Sequence, residues 1–232
     1  MTGEDVFAAW REAMVVEQIE RRGIRDPRVL EAFRRIPRHE FVPPALRSRA
    51  YDDGPLPIGK GQTISQPFIV ALMTSLLQLK GDEKVLEVGT GSGYQAAILS
   101  VLAKWVYTIE RYEVLAQRAK AVFDRLGLKN ITVICGDGSL GYPEAAPYQG
   151  IIVTAAAAAP PPPLLEQLDE GGRLVIPIGD YMGQVLQVWT KEQGRVDYED
   201  ILPVSFVPLR GRYGWSPQAW ERFEENDFEE EM

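Results

Sequence analysis

The segment KVLEVGTGSGY at residues 84–94 decides the fold, because it predicts a buried strand, then a glycine loop, then the start of a helix. The apolar, β-branched run at 84–88 is typical of an inner parallel strand. Gly89, Gly91 and Gly93 follow at every second position, where glycine allows a tight turn. The helix formers QAAIL come next, so the loop should lie at a helix N-terminus, where free backbone N–H groups can bind a ligand.

The spacing of the glycines separates two kinds of nucleotide-type ligand. The dinucleotide fingerprint G-x-G-x-x-G requires a third small residue where the helix packs on the strand, and here Tyr94 occupies that place. The order E-x-G-x-G-x-G instead resembles motif I of the S-adenosylmethionine-dependent methyltransferases. The resemblance implies that the cofactor site contains Glu87, Gly89, Thr90, Gly91 and Gly93.

Two further acids follow predicted strands. Glu110 comes directly after WVYTI at 105–109 and is placed to accept hydrogen bonds from both ribose hydroxyls, which also favours an unphosphorylated ribose. Asp137 follows the predicted strand at 131–135 and is placed to accept from an adenine amino group. The alternatives are a structural βαβ turn with a solvated Glu110, and a turn aspartate at 137. We assign the neighbours Arg111 and Gly138 to the same cofactor site.

The composition indicates a globular protein with one well-filled domain and an appendage, since the 232 residues are 45% hydrophobic. The apolar runs are too short to span a bilayer, and the N-terminus MTGEDVFAAW has acids where a signal peptide needs bases. We therefore expect a cytoplasmic protein with no membrane partner.

The charged residues are unevenly distributed. Seven acids and one arginine at 221–232 contribute −6 of the formal net charge of −8. Ten arginines lie between residues 11 and 49, but they alternate with six acids at helical spacing. This pattern favours solvated helix faces that pair internally over a nucleic-acid surface. We expect no nucleic-acid partner and a monomer.

The chain has one cysteine and one histidine, which limits its chemistry. Cys135 cannot form an internal disulfide or a multi-cysteine metal site, and the apolar run around it predicts a buried role. A Ser-His-Asp triad would depend on His39, which we expect at the surface or in a linker. No metal site is expected.

Hydrophobic periodicity predicts an α/β fold. Helices at 4–22 and 26–36 would form an N-terminal helical appendage, residues 1–50. Glycine and proline predict a loop at 54–61, before a helix that begins near 67 and ends near 81. Strands and helices then alternate, as expected for a parallel sheet with right-handed crossovers. These elements are strands at 84–88, 105–109, 131–135, 150–154 and 173–177, and helices at 94–103, 113–126 and 163–168.

Two further strands at 184–189 and 201–209 should form an antiparallel pair at the sheet edge, separated by the polar stretch 191–200. The predicted core, residues 51–210, is therefore a Rossmann-like, mostly parallel, doubly wound sheet of about seven strands. Residues 211–232 would be an acidic C-terminal extension.

The run PLPIGKGQTISQP at 55–67 points to the substrate. It closely resembles the signature of the protein-L-isoaspartate (D-aspartate) O-methyltransferases. The resemblance covers about residues 10–210 and continues in VLEVGTGSGYQAAILS, VYTIER, GDG, IIVTAAA, LLEQLDEGGRLVIPIG and FVPL. Two other classes stay open: a methyltransferase of this fold that acts on a small molecule or RNA, and a non-enzymatic binding module.

By that resemblance, S-adenosylmethionine donates a methyl group to the free α-carboxylate of L-isoaspartyl and D-aspartyl residues in damaged proteins and peptides, leaving S-adenosylhomocysteine. The methyl ester then re-forms a succinimide, which partly returns to aspartate. An α-carboxyl group has a pKa of about 3.3–3.7 and is ionised at neutral pH, so no general base is needed.

The family pattern marks Ser65 as the active-site position. If Pro67 is the first helical residue, Gln66 is the N-cap and the Ser65 hydroxyl is free to point into the cleft, whereas a shift of one residue would make Ser65 the cap. We expect Ser65 to orient the substrate carboxylate by a hydrogen bond, since a nucleophilic serine would need a base. The substrate cleft is expected to include Thr63, Ile64, Val207, Pro208 and Leu209.

Overall fold

The computed structural model describes residues 3–216 as a layered arrangement of helices and strands. The helices are α1 (Gly3–Ala13), which continues as a π-helix (Met14–Glu20), α2 (Pro27–Arg35), α3 (Pro67–Leu76), α4 (Tyr94–Leu102), α5 (Glu113–Leu126) and α6 (Pro162–Gln167). The strands are β1 (Leu56–Gly59), β2 (Gln62–Ile64), β3 (Lys84–Val88), β4 (Trp105–Glu110), β5 (Ile131–Cys135), β6 (Tyr148–Val153), β7 (Leu168–Gly179), β8 (Gln184–Glu192) and β9 (Arg195–Val204). Short 3-10 turns lie at Arg38–Phe41, Pro44–Arg49, Gly138–Leu140 and Pro143–Ala145.

Seven of these strands form one sheet in the order β5-β4-β3-β6-β7-β8-β9. The first five in that order run parallel, and β8 and β9 are antiparallel additions. The predicted doubly wound, mostly parallel sheet is confirmed. Because β4 and β6 flank β3 on opposite sides, the strand order reverses at β3, and the carboxyl ends of these strands open onto a crevice.

The two N-terminal helices are predicted correctly and pack on the same core as the sheet helices. Asp26 caps α2, since its side chain accepts a hydrogen bond from the Arg28 N–H at 2.8 Å, and Pro27 lies in the first turn. Ile19 and Phe33 belong to the same buried cluster as α3 and α4. The domain boundary at residue 50 stays a prediction.

The predicted loop at 54–61 is wrong, because β1 and β2 form an antiparallel hairpin there. Its two-residue turn, Lys60–Gly61, has positive φ at both positions, 57° and 65°. Such a turn matches the twist of paired strands. The glycine and proline content that suggested a loop instead serves a tight turn, with a register shift beside Gly59.

The predicted bounds of the last two strands are also wrong. The polar stretch 191–200 is paired backbone, because β8 and β9 meet at a second two-residue turn, where Gln193 and Gly194 have φ of 53° and 73°. Strand β9 is the edge of the sheet, so its polar side chains can face solvent. Residues 205–209 leave the sheet and form an isolated bridge between Pro208 and Ala156.

The environments predicted for His39 and Cys135 are both wrong. His39 is buried, stacked on Phe7 at 4.0 Å between ring centroids, and its Nδ1 forms a 2.8 Å hydrogen bond with the Tyr51 hydroxyl. Cys135 is exposed, because it ends the edge strand β5, which is covered only in part. The polar neighbours of His39 suggested an exposed side chain, and the apolar neighbours of Cys135 suggested a buried one.

Within residues 3–216, the helices are too short or too polar to cross a bilayer. The same span contains no group of three or more His, Cys, Asp or Glu side chains arranged to hold a metal ion. The predicted acidic extension falls mostly on residues 217–232, which lie outside the described residues.

The glycine loop between β3 and α4 has left-handed backbone at each glycine. Gly89, Gly91 and Gly93 have φ of 97°, 52° and 87°. Gly93 is the N-cap of α4, and a Cβ atom there would lie 2.8 Å from Phe123 Cζ and 3.0 Å from Ala119 Cβ. Glycine at this position therefore satisfies both the backbone conformation and the close approach of α5.

A chain of buried polar groups supports this loop from below. Thr108 on β4 donates its hydroxyl to Glu87 Oε2, and its oxygen lies 2.6 Å from the Thr90 hydroxyl. Glu87 is fully buried, and its other oxygen has no hydrogen-bond partner within residues 3–216. Burial, with the Glu110 charge as a lesser contribution, raises the pKa of Glu87 to about 8.

We expect Gly93→Ala to lower the free energy of unfolding by about 3 kcal/mol, combining left-handed strain with overpacking against α5. Gly127→Ala is the matched control, since Gly127 also has positive φ, 69°, but nothing lies within 4 Å of its Cβ position. The control should lose about 1 kcal/mol. Urea unfolding of both variants measures the difference, and equal losses would contradict the packing argument.

The raised pKa of Glu87 also predicts a pH effect on stability. The folded state holds this proton up to a pKa of about 8, against a reference value of 4.5, so stability falls as pH rises between these values. Each pH unit in that window corresponds to about 1.4 kcal/mol. Glu87→Gln mimics the protonated acid, so urea unfolding from pH 4.5 to 8 should show the variant gaining stability relative to the wild type. Parallel curves would show that Glu87 titrates normally.

Candidate active site

A cavity of about 730 Å³ lies at the carboxyl ends of the central strands. Its walls come from the β1–β2 hairpin, the start of α3, the glycine loop, and the segments that follow β4, β6 and β9. The cavity therefore occupies the crevice where the strand order reverses, which is where open α/β sheets bind ligands.

Glu110 lines this cavity beside the glycine loop. Its Oε2 accepts the Gly91 N–H and its Oε1 accepts the Tyr112 N–H, both at 2.8 Å. A carboxylate has about four acceptor sites, so each oxygen keeps capacity for a donor in the cavity. The backbone thus fixes a carboxylate in the geometry suited to a pair of hydroxyl groups.

The structure brings five of the predicted cofactor residues besides Glu110 to the cavity wall: Gly89, Thr90, Gly91, Arg111 and Gly138. Two others lie behind that wall. Glu87 is beneath the glycine loop, and Gly93 faces α5. Both act on the shape of the loop from outside the cavity.

Asp137 has a different environment from the one expected. Its Oδ1 accepts the Ser139 N–H at 2.9 Å and the Ser139 hydroxyl at 2.7 Å, while Oδ2 accepts the Arg212 N–H at 2.8 Å. A Cβ atom on Gly211 would lie only 2.0 Å from Asp137 Oδ1. The carboxylate therefore anchors residues 211–213 across the end of β5, and it is the adjacent Gly138 that lines the cavity.

Ser65 lies opposite the glycine loop. Helix α3 begins at Pro67 with Gln66 as its N-cap, so the first of the two predicted boundaries is correct and Ser65 precedes the cap. The Gln66 side chain donates to Asp53 at 2.8 Å. Ser65 lines the cavity, and its carbonyl accepts a 2.8 Å hydrogen bond from Arg38 Nη2.

The residues predicted for the substrate cleft all line this cavity, although they come from chain segments about 140 residues apart. Thr63 and Ile64 belong to β2. The other side is held by backbone hydrogen bonds from Ala156 N–H to the Val207 carbonyl, 2.8 Å, and from Leu209 N–H to the Ala156 carbonyl, 2.7 Å. These bonds place Val207, Pro208 and Leu209 against the segment after β6.

Sequence reasoning missed several cavity residues. Thr154 donates its hydroxyl to the Gly89 carbonyl at 2.7 Å and so ties the glycine loop to the end of β6. Its place as the last residue of the strand predicted at 150–154 was an available signal. Gln95, buried in the first turn of α4, donates to the Thr74 hydroxyl at 2.8 Å. No local motif distinguished this glutamine.

Comparisons with known proteins identify the family of this chain. The model of the protein-L-isoaspartate(D-aspartate) O-methyltransferase family matches residues 9–214. A protein-L-isoaspartate O-methyltransferase of Geobacter metallireducens is 54% identical over 213 residues, which are 91% of this chain and 99% of that protein.

Two solved structures are also similar. A protein-L-isoaspartate O-methyltransferase superposes with a TM-score of 0.80 at 31% identity, covering 88% of this chain and 67% of the other. A Plasmodium falciparum protein of that description, solved with S-adenosyl-L-homocysteine, gives a TM-score of 0.76 at 26% identity, covering 86% and 98%. The chain therefore belongs to the protein-L-isoaspartate (D-aspartate) O-methyltransferase family.

Proposed function

We propose that this protein transfers a methyl group from S-adenosylmethionine to the free α-carboxylate of L-isoaspartyl residues in damaged proteins and peptides, and to the side-chain carboxylate of D-aspartyl residues, whose α-carboxyl group lies in the peptide bond. One observation carries the proposal. Ser65, from the segment that resembles the family signature, lines the same cavity as the glycine loop and Glu110. A cofactor and an acceptor bound at these two sides would meet in a shared space.

The residues of the cavity fit the cofactor. The glycine loop presents backbone without side chains, and a Cβ atom on Gly91 would have only Ile58 Cδ1 nearby, at 3.5 Å. Glu110 keeps acceptor capacity on both oxygens, which suits the two ribose hydroxyls. We assign cofactor contacts to Gly89, Thr90, Gly91, Glu110, Arg111 and Gly138, with Glu87 and Gly93 shaping the loop.

Asp137 is expected to contribute to adenine binding through the segment it anchors. Its three hydrogen bonds hold Ser139 and Arg212 in place beside Gly138. A direct hydrogen bond from the adenine amino group to Asp137 stays a prediction. It would use the acceptor capacity that the three hydrogen bonds leave free.

The acceptor needs orientation more than activation. When bound, S-adenosylmethionine supplies an electrophilic methyl group on a sulfonium sulfur. A carboxylate acceptor is already ionised at neutral pH, so a general base is unnecessary. The buried His39, occupied by Tyr51 and Phe7, is not required as one. Ser65 would donate its hydroxyl to the acceptor carboxylate and align it for in-line displacement.

The acceptor peptide would lie along the segment at Val207, Pro208 and Leu209, with Thr63 and Ile64 on the facing wall. The Val207 carbonyl and the Leu209 N–H both pair with the backbone of Ala156, which holds that segment in place. A groove built on backbone suits a substrate whose flanking side chains vary. A monomeric state and the absence of a nucleic-acid partner remain predictions.

Purified protein should transfer labelled methyl groups from S-adenosylmethionine to an isoaspartyl peptide and not to the same peptide with a normal aspartyl residue. The reason is that the α-carboxylate is free only in the isoaspartyl linkage. Base-labile methyl ester formation measures the reaction. Equal labelling of both peptides, or none, would refute the proposed substrate.

The assigned roles predict opposite effects for two substitutions. Ser65→Ala should lower kcat by about 100-fold with little change in the Kd for S-adenosylhomocysteine, because it removes only the group that orients the acceptor. Glu110→Ala should raise that Kd by about 100-fold, since it removes a carboxylate that binds two hydroxyls. Steady-state kinetics and titration calorimetry separate the two quantities. Similar losses of both quantities in each variant would contradict the assignment.

A further inference from the structure

A buried cation lies directly behind Ser65. Arg38, the first residue of the 3-10 turn at Arg38–Phe41, has no exposed surface. Moving a guanidinium group out of water costs several kcal/mol unless it is paired. Within residues 3–216 no carboxylate lies in ion-pair distance of it, although the neighbouring arginines Arg34 and Arg47 each pair with a glutamate.

Carbonyl groups and an aromatic ring take the place of a counter-ion. Arg38 Nε donates to the Ala50 carbonyl at 2.7 Å, and Nη2 donates to the Ser65 carbonyl at 2.8 Å. The guanidinium carbon lies 5.0 Å from the centroid of the Tyr94 ring, a cation–π contact. Nη1 has no hydrogen-bond partner in the described part of the chain. Burial lowers the pKa of Arg38 to about 10, so it stays charged at neutral pH.

These contacts join the two sides of the cavity. Ser65 precedes α3 on the acceptor side, and Tyr94 is the first residue of α4, directly after the glycine loop. Both line the cavity, whereas Arg38 does not. One side chain therefore contacts both the segment that carries Ser65 and the first residue of the helix that follows the glycine loop.

We propose that Arg38 is a positioning residue for methyl transfer, which holds Ser65 through its carbonyl and favours a negatively charged acceptor beside it through its uncompensated positive charge. The inference rests on the proposed function, because it assumes that Ser65 contacts the acceptor. A displacement of about 1 Å at such a contact can cost about 100-fold in rate. A buried cation attracts a nearby carboxylate more strongly than a solvated cation does, because the dielectric constant around it is lower.

The two parts of this role can be separated by substitution. Lysine keeps the charge but lacks the planar fork that reaches two carbonyls, so Arg38→Lys should lower kcat on the order of tenfold and leave KM for the isoaspartyl peptide nearly unchanged. Arg38→Met removes both charge and hydrogen bonds, so it should lower kcat by about 100-fold and also raise KM. Neither should change the Kd for S-adenosylhomocysteine more than about threefold.

A double-mutant cycle with Ser65→Ala tests whether Arg38 acts through Ser65. If it does, each Arg38 substitution should lower kcat much less in the Ser65→Ala background than in the wild type, because the group it positions is already gone. Arg34→Met is the control. Arg34 does not line the cavity, and its Nε lies 3.0 Å from Glu12 Oε2, so this substitution should leave kcat unchanged in both backgrounds. Thermal unfolding of every variant identifies any that fail to fold, and if Arg38→Met does so, the lysine cycle decides.

The outcomes separate this inference from the proposed function. An active wild type with fully additive losses would overturn the role of Arg38 while leaving the function intact. Equal KM values for the lysine and methionine variants would overturn the electrostatic part of the role. A wild type inactive on isoaspartyl peptides would overturn the proposed function and this inference together.

Discussion

The parallel alignment of β3 between β4 and β6 is the constraint on which the rest of the structure depends. Because the three strands run the same way, their carboxyl ends converge at one edge: the glycine loop follows β3, Glu110 ends β4 and Thr154 follows β6. Thr154 then binds the carbonyl of Gly89, and Glu110 binds the N–H of Gly91. Residues far apart in the chain thus hold a short glycine-rich backbone that could not keep its shape alone.

Much of this could be predicted from sequence because the information was local. The glycine turn after β3, the acid at the end of β4 and the start of α3 near Pro67 each depend on a few adjacent residues, and the structure has each of them at its predicted place in the chain. The errors in strand bounds arose where local composition suggested a loop and the partner strand could not be seen in the sequence. Lys60–Gly61 and Gln193–Gly194 look like loop sequence, yet each is the two-residue turn of a hairpin whose existence depends on pairing.

The misplaced side chains have the same physical cause. Burial depends on what packs against a residue, and sequence does not show this for His39, which Phe7 covers, or for Cys135, which ends a partly covered edge strand. Asp137 was placed at the correct strand end, but its hydrogen bond with the backbone of Arg212 comes from the far end of the described chain. The position of a residue at a strand end can be read from nearby sequence, whereas the hydrogen-bond partners of its side chain cannot.

Burial acts on two ionisable groups behind opposite walls of the cavity, and it leaves one of them neutral and the other charged. Glu87, beneath the glycine loop, has one threonine donor and an oxygen with no hydrogen-bond partner among residues 3–216, so burial favours its neutral form. Arg38, behind the acceptor side, keeps its charge, because its intrinsic pKa is so high that the same penalty still leaves it protonated at neutral pH. The protein therefore keeps a positive charge behind Ser65, while burial favours the neutral form of the acid beneath the glycine loop. Under the proposed function, that asymmetry suits the approach of a carboxylate to a sulfonium group, since a positive charge behind Ser65 favours an anionic acceptor and a neutral Glu87 does not repel it.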